Sequence, residues 1–487
     1  MSLSEEEQRQ APLFEALAKY VKTEKTPFHT PGHKQGKGID AELKRLVGQE
    51  IFKFDLTVLE ETDCLFHPIG AIREAQELAA QAYGADKSYF LINGSTGGNL
   101  AMLLGVLFPG DKVIVPRNAH KSVLAGLILT GAIPIYVSPG IDEERGFVKN
   151  VTAETIEKVL KEHPDIRGVF ISSPTYQGIS ADLLGIVKFM HQYHKIVMVD
   201  QAHGPHFHFH PDLPISAMDA EADICVESTH KIISGLTQSA MLHIKGERID
   251  LRDLENILLI IQSTSPSYLL MISLDLARRQ MATQGKELLD KIIALSNRAR
   301  EEINHLDGLY CLQPCDVTPF SLDPTKLTVF VKELGLTGFK ASRILDHQYH
   351  IQPEMADIDS LLFLITIGDE EQDLKKLITG LKNLGEKHRE NNNHLYRINC
   401  SLPKSYPPLK LSPREAFFAK YKTIPLSEAI GEISTEIFSV YPPGIPVIAP
   451  GEEITKEAVE YLQMMERGGA TMVGPSDQNG GMVRVVA

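Results

Sequence analysis

The sequence predicts an α/β protein with a mostly parallel or mixed central sheet, a smaller α+β domain and a C-terminal α+β domain. Three observations predict it. Between Pro68 and Ser228, short apolar runs alternate with amphipathic helical stretches, the pattern of a sheet covered on both faces. At 487 residues the chain is too long for one hydrophobic core. A long helical region near 270–306 leads to two further apolar runs, and polar NNNH (391–394) with proline-rich PKSYPPLKLSP marks a later boundary. The expected organisation is an arm over 1–60, a large domain over 61–285, a small α+β domain over 286–390 and a C-terminal domain over 391–487.

In order, the arm begins with Leu13, Leu17, Tyr20 and Val21 at helical spacing, then FHTPGHKQGKG, whose Gly, Pro and His make a loop. IGAIREAQELAAQAYG places Ile69, Ile72, Ala75, Leu78, Ala79 and Ala82 on one helical face. YFLIN (89–93) is a buried strand, followed by GSTGGNLAMLLGVL as turn and helix. KVIVP (112–116) is a strand, HKSVLAGLILTG a helix and IPIYVS a strand. TAETIEKVLKEH (152–163) is a helix opened by a hydroxyl cap. GVFISSP (168–174), a helix over Leu184–His194, IVMVD (196–200) and DICVES (223–228) complete the series. KLTVFVKEL (326–334) and SLLFLITIG (360–368) are strands of the small domain.

Composition narrows the function. Hydrophobic residues make up 43% and charged residues 23%, an ordinary soluble balance. The net charge of −14 argues against nucleic acid and anionic membranes as partners. Five scattered cysteines (64, 225, 311, 315 and 400) without a CxxC pair fit a reducing compartment and no structural metal. The polar N-terminus, MSLSEEEQRQ, has no apolar signal core, and no run approaches the length of a membrane span. The expected location is the cytoplasm.

Ligands of such sheets sit at the carboxyl ends of the strands. That rule points to Asn93, Gly94, Ser95 and Thr96, to Asp200, and to Ser228–Lys231. Lys231 follows a strand and keeps company with Ser228, Thr229 and His230, donors suited to a phosphate. Asp200 ends another apolar strand, where a carboxylate is costly without a cationic partner or hydrogen bonds. NGSTGGN (93–99), between strand and helix, brings small residues and a helix start to an anion. It is neither GxGxxG nor GxxxxGK[ST], so a nicotinamide enzyme lacks its fingerprint here. Taken singly, each feature has a plainer reading as a solvated strand end or an ordinary turn. Together they make a phosphate cradle, an acid for a ring nitrogen and a Schiff-base lysine, the parts that pyridoxal 5'-phosphate needs.

The chain resembles the Orn/Lys/Arg decarboxylase family, of the aspartate-aminotransferase (type I) fold, and within it the short biosynthetic arginine decarboxylases of Gram-positive type. The matching stretches are FHTPGHKQG, LFHPIGAIREAQELAAQAYGA, NGSTGGNLAM, PRNAHKS, PTYQGISADL, VDQAHGPHF, ESTHKIISGLTQSAMLH, SPSYLLMISLDLAR and YPPGIPVIAPGE, across about residues 27 to 455. The resemblance implies α-decarboxylation of a basic amino acid, arginine to agmatine first, in polyamine biosynthesis, by at least a homodimer. It implies Lys231 as the cofactor's covalent partner and Asp200 at the pyridinium nitrogen. It implies Gly94, Ser95, Thr96, Ser228 and His230 around the phosphate, His120 and Ala202 on the two ring faces, and Thr175 near the phenolic oxygen. His203 would lie by the substrate carboxylate, and Lys231 or His203 would return the proton to the α-carbon. Many relatives read DEAHG where this chain has Gln201. On a strand Gln201 should face away from Asp200, so the change is expected to be tolerated.

Three other features have competing readings. His206, His208 and His210 in HGPHFHFH alternate as strand-borne metal ligands would, but read better as a polar loop. His33 lies in the arm that the resemblance places near a partner's active site; its plainer reading is a surface turn. Glu436, upstream of YPPGIP, is a candidate reader of the substrate's distal cation, because a guanidinium needs a carboxylate; the alternative is a solvated glutamate. The alternatives in function are lysine or ornithine decarboxylation and, from another class, a cofactor-bearing regulator without turnover.

Overall fold

The computed structural model describes residues 5–389, 406–441, 445–474 and 481–487. The NNNH boundary (391–394), Cys400, residues 442–444 of YPPGIP and residues 475–480 of the tail lie outside them. The N-terminal half contains helix α1 (Pro12–Val21), α2 (Ala71–Ala82), strand β1 (Lys87–Leu91), α3 (Gly94–Val106), β2 (Lys112–Pro116), α4 (Lys121–Thr130), β3 (Ile133–Val137), α5 (Ala153–Glu162), β4 (Gly168–Ser172), α6 (Leu183–Gln192), β5 (Ile196–Asp200), β6 (Ile224–Glu227) and β7 (Ala240–Ile244). There follow the 37-residue helix α7 (Tyr268–Asn304), β8 (Lys326–Phe330), β9 (Ser360–Leu364) and, near the C-terminus, α8 (Lys456–Gly468). The chain divides into two compact units, Met1–Val106 with Met198–Leu289, and Leu107–Val197 with Asp290–Ala487.

In the first unit the strand order is β1, β7, β6, β5. β5 and β6 are parallel; β6–β7 and β7–β1 are antiparallel. The expected α/β class with a mixed sheet is therefore what the chain forms. Strand β7 is a departure, because no strand was expected at 240–244. All five of its residues are buried, so it shows none of the alternation by which a half-exposed strand is read. The core of this unit gathers Leu13, Leu17 and Tyr20 of α1, Ile72, Ala75 and Ala79 of α2, and Tyr268, Met271 and Leu274 of α7. Helix α1 starts with Pro12, which needs no donor at that position. The next two amides, of Leu13 and Phe14, donate to the buried Asp275 carboxylate, itself paired with Arg278 at 2.6 Å.

In the second unit β4, β2 and β3 run parallel in that order. Thr152 caps α5 as expected, its hydroxyl accepting from the Thr155 amide at 3.2 Å. A separate antiparallel sheet orders Met355–Ala356, β9, β8 and Tyr310–Cys311. Nearer the C-terminus, Arg117 and Glu452 form a buried ion pair at 3.1 Å. Arg117 also donates to the Val447 carbonyl and lies against the rings of Tyr136 and Tyr406. Among the described residues no helix is long and apolar enough to cross a membrane.

Candidate active site

Register places the candidate residues of the first unit on one sheet edge. Leu91 of β1 is opposite Ala240, Glu227 of β6 is opposite Met241, and Asp200 of β5 is opposite Val226. The carboxyl ends of β1, β5 and β6 thus share an edge, and the Asn93–Thr96 turn, Asp200 and Ser228–Lys231 emerge there. Helix α3 can start so close because Gly98 has no side chain. A Cβ there would lie 2.2 Å from Cγ2 of Val226 on β6. Gly94, at φ +63°, makes the turn into the helix, with Ser95 half-buried and Thr96 exposed in its first turn.

Asp200 is buried and accepts from Asn99 Nδ2 at 2.8 Å and from the Ala202 amide at 3.0 Å. Both donors are neutral, so the charge of a buried carboxylate is not balanced by them. Asn99, deep in α3 behind two glycines, belongs to this site and was not assigned from sequence. Lys231 Nζ lies 2.8 Å from Nε2 of the buried His203. His230 directs Nδ1 to the Ser239 carbonyl at 3.0 Å, which makes that nitrogen the N–H donor. Gln201 takes different partners from Asp200: its Nε2 donates to Glu227 and to the Gly204 carbonyl, and its Oε1 accepts from the Ala217 amide.

The histidines that follow are held by protein groups. Residues 207–209 form a 3-10 turn rather than a strand. His208 pairs with Asp219 at 3.0 Å, and His210 Nδ1 accepts from the Asp212 amide. Among the described residues no cluster of three or more His, Cys, Asp or Glu is arranged to hold a metal. His33 sits in its arm with Nε2 3.0 Å from Asp55 and Nδ1 accepting from the Gly36 amide, so both ring nitrogens have local partners.

The remaining candidates belong to the second unit. His120 caps α4, its Nδ1 accepting from the Ser122 amide at 3.2 Å. Thr175 is buried in a tight turn, its hydroxyl accepting from the Ile179 amide. Glu436 is buried; its Oε2 accepts from the Arg484 amide at 2.9 Å, and its Oε1 lies 3.7 Å from Arg484 Nε.

Comparison with known proteins shows the family. The Orn/Lys/Arg decarboxylase major domain matches residues 11–373, and that family's C-terminal domain matches residues 398–485. The chain belongs to the Orn/Lys/Arg decarboxylase family. An arginine decarboxylase of Bacillus anthracis is 41% identical over 483 residues, covering 98% of each chain. One of Bacillus subtilis is 39% identical over 482 residues, again covering 98% of each. Among solved structures, a lysine decarboxylase of Francisella novicida superposes with a TM-score of 0.86 at 26% identity, over 98% of this chain and 81% of that one.

Decarboxylases of this family imply pyridoxal phosphate, and the residues present fit it. Ser228 Oγ is fully buried without a hydrogen-bond partner among the described residues, as an anion-binding hydroxyl awaiting its acceptor would be. The first turn of α3, which starts on the same sheet edge, presents a positive helix end there. Asp200, buried with only neutral donors, suits a protonated ring nitrogen. Lys231 is the amine at that edge.

Proposed function

We propose that this decarboxylase removes the α-carboxylate of a basic amino acid, arginine first, giving agmatine and carbon dioxide as a step toward polyamines such as spermidine. One observation carries the chemistry: a lysine in hydrogen-bond contact with a buried histidine, on the same sheet edge as a buried carboxylate. The choice of arginine rests on the near-full-length relatives named above.

Lys231 would hold the aldehyde carbon of pyridoxal phosphate, Asp200 its ring nitrogen, and Gly94, Ser95, Thr96, Ser228 and His230 its phosphate. His120 and Ala202 would flank the ring, with Thr175 near its phenolic oxygen. Bound there, the cofactor supplies an electron sink for the pair released when the bond to the carboxylate breaks. Asp200 would place its carboxylate at the ring nitrogen, and Asn99, donating to it at 2.8 Å, fixes the carboxylate's orientation. His203 and Lys231 are hydrogen-bonded at 2.8 Å, and one of the two would return the proton to the α-carbon. Glu436 would read the distal cation. Its carboxylate already faces the guanidinium of Arg484, so a substrate cation would share it or displace that partner. His33 would act from the arm.

The enzyme is further proposed to work in the cytoplasm as a homodimer or larger assembly. The helix over Ala41–Val47 buries no residue of its own, and Leu43, Leu46 and Val47 on it are exposed, as is Phe28. A second copy would cover such a surface.

The test is a competition assay. Protein with added pyridoxal phosphate receives equal arginine, lysine and ornithine, and the amines are separated and counted, with Lys231→Ala alongside. Mostly agmatine, absent with Lys231→Ala, is expected. Mostly cadaverine or putrescine would overturn the substrate. No amine from a cofactor-binding protein would favour the regulator.

A further inference from the structure

Behind the Lys231 site lies a second buried polar group. Glu227, the last residue of β6, is 2% exposed, and Gln201 and His243 are 0% exposed. Gln201 Nε2 donates to Glu227 Oε1 at 2.5 Å and to the Gly204 carbonyl at 3.1 Å, while its Oε1 accepts from the Ala217 amide at 2.7 Å. This leaves the amide one orientation. Turned over, it would set N–H against N–H at Ala217 and oxygen against oxygen at Glu227 and Gly204. The other oxygen of Glu227 lies 3.7 Å from His243 Nε2. His243 Nδ1 is 2.7 Å from Ser88 Oγ, and the Tyr83 ring stacks on the imidazole at 4.5 Å.

Chain positions give this group a purpose. Gln201 directly follows Asp200, and its bond to the Gly204 carbonyl closes the turn that carries His203. Glu227 directly precedes Ser228, three residues before Lys231's neighbour His230. We propose that Gln201 and Glu227 are a one-charge positioning pair that locks together the strand ends bearing Asp200, His203 and Lys231. The inference rests on the reading of those three residues as the working site. A neutral amide is required at 201, because a second carboxylate at this distance from Glu227 would be ionised only at high cost in a buried place, and the two would share a proton. The titratable groups facing the pair are His243 from β7, Tyr83 after α2, Cys225 on the same strand and Asp200 on the next. Burial pushes the Tyr83 hydroxyl and the Cys225 thiol up, so both stay neutral near pH 7. Each variant below is also made in a His243→Gln background, which takes the imidazole facing Glu227 out of the comparison.

The experiment compares wild type, Gln201→Glu, Glu227→Gln and the exchanged double variant Q201E/E227Q. Melting temperature of the cofactor-free protein is followed from pH 5.5 to 8.5, and kcat and KM are followed over the same range. Gln201→Glu should melt progressively lower than wild type as pH rises and the shared proton leaves. Its kcat should fall at least about tenfold at pH 8 and recover toward pH 6, with KM within about threefold. The exchanged variant, again with one charge, should lose that slope in melting temperature and regain part of the kcat, because a carboxylate at 201 restores the contact with residue 227 but cannot donate to the Gly204 carbonyl. Gln201→Glu with the melting slope and kcat profile of wild type would overturn the proposal, as would an exchanged variant no better than the single one. If Gln201→Glu does not fold, the exchanged variant decides: folded and active supports the pair, unfolded or inactive overturns it. The melting readout needs no turnover, so it separates failure of the pair from failure of the decarboxylase reading.

Discussion

Lys231 Nζ and His203 Nε2 stand 2.8 Å apart, joining the amine of one strand end to the imidazole of another. A pair at that distance is hydrogen-bonded, and one of the two would return the proton to the α-carbon. General acid–base groups contribute about 10²–10⁴-fold. His203→Ala should therefore lower kcat about a hundredfold or more while KM moves little, measured by amine formation. An unchanged kcat would remove His203 from the mechanism.

Asp200 accepts from two neutral donors and is buried. Asp200→Asn keeps the shape and removes the charge that a protonated ring nitrogen requires. A hydrogen bond to a charged group contributes about 1.5–3 kcal/mol, so kcat/KM should fall roughly 10–100-fold or more. Cofactor content should be measured in parallel, and activity near wild type would contradict the assignment.

Glu436 is buried against Arg484. If it reads the substrate cation, Glu436→Gln should raise KM for arginine about tenfold or more, the scale of one charged contact, or change the preference among arginine, lysine and ornithine. Unchanged kinetics with all three would sink that role.

Burial pushes the Glu452 carboxyl up to about 7 from an ordinary 4.5, although Arg117 pulls it down. A carboxyl raised on folding binds its proton more tightly in the native state. Its contribution to stability is full at or below about pH 4.5 and is lost as pH rises through about 7. Wild type should accordingly lose stability, on the order of 3 kcal/mol, between pH 4.5 and 8 relative to Glu452→Gln. Denaturant midpoints at several pH values give the answer, and parallel pH profiles would contradict it.

Much of this was legible in the residues. Strands Lys112–Pro116 and Ile196–Asp200 stand where the apolar runs are, because each is bounded by polar or proline residues that stop the run. β1 starts two residues earlier than YFLIN, at Lys87, since its polar Ser88 is buried by a bond to His243 that pattern alone does not show. β7 escaped for the related reason that a strand buried on both faces has no alternation. Lys231, Asp200 and the Ser95 turn announce themselves by sitting at strand ends. Asn99, Glu227, His243 and the Arg117–Glu452 pair do not, because their meaning lies in partners that are distant in sequence and supplied by the fold.

The most direct measurement is to reduce the pyridoxal phosphate-loaded protein with borohydride, digest it and map the modified lysine. The account predicts one phosphopyridoxyl group per chain, on Lys231, in protein whose decarboxylation is abolished by the same treatment. A label on another lysine, or full activity with Lys231 unlabelled, would contradict it.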